Sequence, residues 1–239
     1  MTTVLVGMGP GLGVALVRRF ARECGPVAFI GRRPEALAAF QMQLREEGLE
    51  VAGVVADAGK PETMDAAFVA IRRHYGGPEA LIYNAAIIEP ARFATPSGLP
   101  FVQYGNAPGW HSHGAPADFN YLVECFKTNV AGALHAAQQV SPAMVAKGQG
   151  SILFTGGVLA FDPWLEWGVT ALGKAALRSL GLSLHKELTP FGIRAHVVAI
   201  HGTMEEGTPY DPALVAEAYW QLHSGPVHPE ADFHFKPEN

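Results

Sequence analysis

The feature that most restricts the fold of this chain is an alternation in its first eighty-odd residues. Short apolar runs at 4–6, 27–30, 51–55 and 80–83 are separated by apolar-periodic segments at 14–23, 34–47 and 61–75, with Gly, Pro or Asp at the joints. Runs of four to five apolar residues between turn signals read as buried strands, and the periodic segments as helices. Such alternation with short joints calls for parallel strands linked by right-handed helical crossovers. The predicted fold is a single doubly wound α/β Rossmann domain over 1–239. It has about six to seven parallel strands and helices on both faces. Further helices are predicted at 118–147 (bent near Pro142), 169–188 and 212–223. Further strands are predicted at 151–154 and 194–200, with a short last strand at 233–235.

In such a sheet, ligands bind beyond the carboxyl ends of the strands. Gly7, Gly31, Asp57 and Asn84 all fall there. The first strand runs directly into Gly7-Met8-Gly9-Pro10-Gly11-Leu12-Gly13. A glycine turn that opens a helix lets backbone N–H groups face a phosphate with no side chains in the way. The spacing is Gly-x-x-x-Gly-x-Gly at Gly7, Gly11 and Gly13, because Leu12 occupies the third glycine position of the alternative Gly-x-Gly-x-x-Gly.

Composition narrows the function classes. Hydrophobic residues make up 49% of the chain and charged residues 16%, enough for a substantial core. The net charge of −5, with no basic cluster longer than a pair, gives no footprint for a nucleic-acid partner. No apolar run reaches the roughly 18 residues of a membrane span. No charged leader precedes the first strand. Cys24 and Cys125 lie in apolar helical patterns without metal-type spacing and read as free thiols in a reducing, cytoplasmic compartment.

Between 87 and 117 the periodicity lapses into a proline- and aromatic-rich segment, read as an irregular insertion or lid. Its His111-Ser112-His113 has no acidic or thiol neighbour to complete a metal site, so these histidines read as solvated or lid-packing and no metal is expected. The segment 203–239 is read as a substrate-side C-terminal region.

Five features stand in an order that resembles the short-chain dehydrogenase/reductase family over about residues 3–203. They are the glycine turn, Asp57, Asn84-Ala85-Ala86, Asn129 in the long helix and Lys174 early in the next. The resemblance implies an oxidoreductase acting on a small-molecule substrate with a nicotinamide dinucleotide. It implies that Gly7, Gly9, Gly11, Leu12 and Gly13 pass under the pyrophosphate. Asp57 would bind the adenine amino group, Asn84 and Ala85 would adjoin the adenosine ribose, and Lys174 would hold the nicotinamide ribose. Asn129 would position Lys174 through a backbone kink and a water. A carboxylate after the second strand would favour NAD; here Arg32 and Arg33 stand instead, which favours NADP, with NAD as the lesser alternative.

The resemblance breaks at the chemistry. The family's tyrosine lies four residues before the lysine, where this chain has Thr170. The family's serine lies thirteen residues before that tyrosine, where this chain has Gly157. The chain thus resembles a divergent branch of the family with a Thr-Gly-Gly segment and a hydroxyl residue at these places. Thr170 as a relay and His201 as an acid–base group are substitutes, with Glu166, His111 and His113 behind them. An alternative reading is a dinucleotide-binding protein of little or no activity with a regulatory or assembly role; a third is cleft chemistry without redox, by elimination or epimerisation. The small and apolar residues on the helices at 118–147 and 169–188, among them Ala131, Gly132, Ala136, Ala171 and Ala175, point to a homodimer or homotetramer.

Overall fold

The computed structural model describes residues 2–97 and 114–237. The strands are β1 (Thr3–Val6), β2 (Val27–Gly31), β3 (Val51–Val55), β4 (Ala80–Tyr83), β5 (Gly150–Thr155), β6 (Ile193–Ile200) and β7 (Asp232–Phe235). They form one seven-stranded sheet in the order β3-β2-β1-β4-β5-β6-β7, and every pair is parallel. The helices are α1 (Leu12–Cys24), α2 (Pro34–Glu46), α3 (Pro61–Tyr75), α4 (Phe119–Phe126), α5 (Gly132–Lys147), α6 (Gly168–Leu188) and α7 (Pro212–Ser224). This is a Rossmann-like α/β fold, and its strand order reverses between β1 and β4.

Two apolar layers hold it together. On one face Met64, Phe68 and Ile71 of α3 join Ala133, Ala136 and Val140 of α5 and Leu177 of α6. On the other, Leu16, Val17 and Phe20 of α1 join Leu37 and Leu44 of α2 and Val215 and Tyr219 of α7. β1 feeds both layers, Val4 and Val6 to the first and Leu5 to the second, so it reads as continuously apolar. Proline at the first helical position starts α2 and α3, where its missing N–H costs nothing. Asp118 and Asp211 cap α4 and α7, their carboxylates accepting from the backbone N–H of Tyr121 and Ala213. No helix among the described residues is long and apolar enough to cross a membrane.

One expectation needs correction: the long helix is interrupted by a π-turn at Lys127–Ala131, with Pro142 inside α5. Contacts from other elements hold the irregularity: the buried Tyr83 hydroxyl donates to the Thr128 carbonyl, and a Cβ on Gly132 would overlap the Ala58 carbonyl. Helix α5 is therefore drawn against the loop after β3. Most of the small residues on these helices serve the chain's own core: Ala133, Ala136, Ala137 and Ala171 are buried, whereas Ala131, Ala175 and the large apolar Phe119, Phe126, Leu134 and Leu172 are exposed. Of the two cysteines, Cys125 is a buried free thiol.

At the β7 edge, His196 of β6 is almost fully buried and donates through Nδ1 to the Glu230 carbonyl, leaving Nε2 without a partner. Burial first, then the nearby His185, His228 and Arg194, pushes its pKa down from 6.5 to about 4. A histidine whose pKa is depressed on folding resists protonation, so stability is intact above pH 6.5 and declines as pH falls toward 4. At full protonation the loss is about 3 kcal/mol. His196→Gln keeps a donor for Glu230 and removes the titration. Thermal unfolding followed from pH 7 to pH 4.5 should show a steeper loss in the parent than in this variant; parallel curves would contradict the assignment.

Candidate nucleotide-binding and active site

The site is built where β1 and β4 part. Gly7 has φ of 99°, and a Cβ there would overlap the backbone of Ala85, so only glycine fits between the two strand ends. The carbonyl of Gly7 accepts from Asn84 Nδ2 at 2.9 Å, and its N–H donates to the Ile30 carbonyl at 2.9 Å. The turn is thereby fixed to β2 and β4 together. Gly13 lies close under Met8, while a Cβ on Gly9 or Gly11 would meet open space. No side chain caps α1, and its first turn carries no acidic residue. The N-terminal N–H groups of α1 and the positive end of its dipole are thus left without a side-chain partner.

A cleft of about 590 Å³ runs from this turn across the carboxyl ends of β2 and β3. Gly7, Gly9, Arg32, Arg33, Asp57, Asn84 and Ala85 line it. Among the described residues neither Arg32 nor Arg33 has an ion pair or a side-chain hydrogen bond, and both are exposed. Asp57 Oδ1 accepts from the Gly59 N–H at 2.9 Å, which orients the carboxylate in the wall. The glycine cradle, the uncapped helix and the two free guanidinium groups suit a ligand with a pyrophosphate and a further phosphate.

The second half of the site lies past β5. Lys174 of α6 is half-buried and donates from Nζ to the Thr155 carbonyl at 2.7 Å. Burial, with no compensating carboxylate, lowers its pKa from 10.5 to about 8. The Thr155 hydroxyl accepts from the buried Tyr219 hydroxyl at 2.8 Å. Gly156 packs against Val197 and Val198 and has no room for a side chain. At Gly157, in contrast, a Cβ would meet only the Ile200 carbonyl at 3.8 Å.

Asn129 lies in the π-turn, and its side chain binds the Ile87 backbone, accepting at 2.6 Å and donating at 3.1 Å. It pins the strand-β4 loop over Gly173, where a Cβ would press on it. Thr170 is 2% exposed, and its hydroxyl approaches the Glu89 carbonyl at 3.4 Å, so it does not open on the cleft as a relay would. His201 Nε2 lies 2.8 Å from His234 Nδ1, with Phe161 packed on both rings. Burial first, then His234 and Lys236, lowers its pKa. Glu166 is buried, ion-paired to Arg92 and bonded by the Ser97 hydroxyl. With the Ala91–Trp167 bridge, this pair ties the base of the irregular segment to the start of α6. His111 and His113 lie outside the described residues. Sequence reasoning missed Thr155, Ile87 and His234 as partners, because each acts through a backbone group or across a strand pair that no local spacing encodes.

The strand order and the glycine turn define a Rossmann-like α/β architecture. A family model described as short chain dehydrogenase matches residues 1–210, and the chain belongs to that family. The pig (Sus scrofa) dehydrogenase/reductase SDR family member 4 is 29% identical over 79% of this chain and 61% of its own. The oxidoreductase asL5 of Sarocladium schorii is 29% identical over 83% of this chain and 70% of its own. The chain spans about three fifths of the length of several curated relatives that it matches. Among solved structures, a metagenomic short-chain oxidoreductase in complex with NADP superposes with a TM-score of 0.81 at 17% identity, covering 100% of this chain and 97% of the other. L-sorbose reductase from Gluconobacter frateurii, complexed with NADPH and L-sorbose, gives 0.80 at 19% identity, over 98% and 94% of the two chains. At these identities the structural likeness concerns the fold.

The glycines separate into two kinds. Gly7→Ala should cost about 2 kcal/mol or more of folding stability through strain and overlap. Gly9→Ala should leave stability within about 0.5 kcal/mol. Urea unfolding of the two variants distinguishes them, and equal effects would refute the backbone-apposition account.

Proposed function

We propose that this chain is an NADP(H)-dependent oxidoreductase that interconverts a small carbonyl compound and its alcohol, with proton delivery that departs from the family's. The observation that carries the reading is the pair of unpaired arginines beside the glycine turn, in one cleft. A phosphate on the adenosine ribose offers two guanidinium groups bidentate, charge-assisted bonds; a free ribose hydroxyl offers neither.

On this reading the backbone of Gly7, Gly9, Gly11, Leu12 and Gly13 holds the pyrophosphate at the positive end of α1. Arg32 and Arg33 hold the 2′-phosphate. Asp57 takes the adenine amino group, Asn84 and Ala85 wall the ribose, and Lys174 holds the nicotinamide ribose hydroxyls. Asn129 is a positioning residue that keeps the β4 loop against α6. The bound nicotinamide supplies the hydride chemistry. The segments 87–117 and 203–239 form the substrate side. The exposed Phe119, Phe126, Leu134 and Leu172 support a homodimer or homotetramer through α4–α5 and α6.

Calorimetry should find NADPH binding at least tenfold tighter than NADH. Arg32→Ala/Arg33→Ala should lose that preference by weakening NADPH alone. Equal binding of both cofactors by the parent would reject the arginine assignment. Spectrophotometric assay across a carbonyl panel should show substrate-dependent oxidation of NADPH. Tight binding without turnover on any substrate would favour a non-catalytic nucleotide-binding role instead.

A further inference from the structure

This inference rests on the oxidoreductase reading and concerns the origin of the proton. The two places where the family carries its hydroxyl groups hold Thr170 and Gly157. Thr170 is buried, its oxygen turned to the Glu89 carbonyl, and Gly157 presents only backbone. Among the described residues the other acid–base candidates are engaged: Glu166 with Arg92 and Ser97, His201 with His234 under Phe161.

Lys174 differs from all of them. It stands one helical turn beyond Thr170 on the same face of α6. Its Nζ reaches the carboxyl end of β5, two residues before Gly157, where the absence of a side chain leaves open volume. An ammonium has three N–H groups. One is used by the neutral Thr155 carbonyl, and among the described residues no carboxylate pairs with the charge. The Thr155 hydroxyl is occupied by Tyr219 and does not compete.

We propose that Lys174 is itself the catalytic proton donor to the substrate oxygen. In carbonyl reduction the carbonyl carbon receives a hydride, with its electron pair, from the dihydronicotinamide, which is oxidised. The carbonyl oxygen takes one proton from Lys174 Nζ as that N–H bond breaks. The lysine is left as a neutral amine and regains its proton from water through the open Gly157 side. Alcohol oxidation runs the same transfers backwards, with the neutral amine as base. A pKa near 8 keeps the group protonated at neutral pH and lets it give the proton up.

The test has two parts. In the protein without cofactor, amine-selective labelling of Lys174 across pH, read by peptide mass spectrometry, should show a midpoint near pH 8; a midpoint near the ordinary lysine value of about 10.4 overturns the proposal. In the complete reaction, kcat/KM for reduction should fall above a limb near pH 8. Lys174→Arg keeps a cation for the ribose but holds its proton too tightly. It should bind NADPH within about threefold of the parent and lose about 100-fold or more in turnover. Retained turnover in that variant overturns the proposal and leaves the oxidoreductase reading standing. A parent that binds NADPH but turns over no substrate overturns the oxidoreductase reading, and the proposal with it. Should Lys174→Arg lose cofactor binding, Lys174→Ala with added ethylammonium decides: turnover that rises with the amine supports proton donation, and none overturns it.

Discussion

The structure depends on the contact between the end of β1 and the end of β4. Gly7 lies against the backbone of Ala85, and Asn84 closes the gap by donating to the Gly7 carbonyl. The crevice exists because the strand order reverses here, so the segments leaving β1 and β4 diverge to opposite faces of the sheet. A side chain at Gly7 would push the strands apart, whereas a side chain at Gly9, which lines the crevice, or at Gly11 would meet open space. One turn thus meets two demands, and glycine meets each for a different reason.

The region around Lys174 past β5 is organised by hydrogen bonds to backbone. Lys174 leans on the Thr155 carbonyl, Asn129 grips both backbone groups of Ile87, and the Tyr83 hydroxyl reaches the Thr128 carbonyl in the π-turn. None of these contacts introduces a carboxylate beside Lys174. A cation that is desolvated without a counter-charge pays in proton affinity, which is why its pKa falls. The buried carboxylate of Glu166 is paired with Arg92 and holds the irregular segment to α6. Charge is therefore partitioned: paired where the loop is anchored, unpaired at Lys174 and at Arg32 and Arg33.

Much of this was legible in the amino-acid order. The strand and helix alternation, Pro34 and Pro61 at helix starts, and glycine or polar residues after four strands all follow from local propensity and period. The helix at 118–147 was legible as a helix but not as an interrupted one. Its π-turn is held by Tyr83 and Ala58, which lie on other elements. Likewise Ala133, Ala136 and Ala137 carry no sign in the sequence of which neighbour covers them, and their own sheet does.

The sequence by itself determined that this is a doubly wound sheet with a glycine turn after its first strand, and that Thr170 and Gly157 stand four and seventeen residues before Lys174. Those properties are written in period, spacing and residue identity. Tertiary structure alone decided what surrounds each ionisable group. It buried Thr170 against Glu89, joined His201 to His234, tied Glu166 to Arg92, and left Lys174 desolvated at the end of β5. Proton affinity and reach depend on solvent exclusion and on partners distant in the chain, and those exist only once the strands and helices have packed.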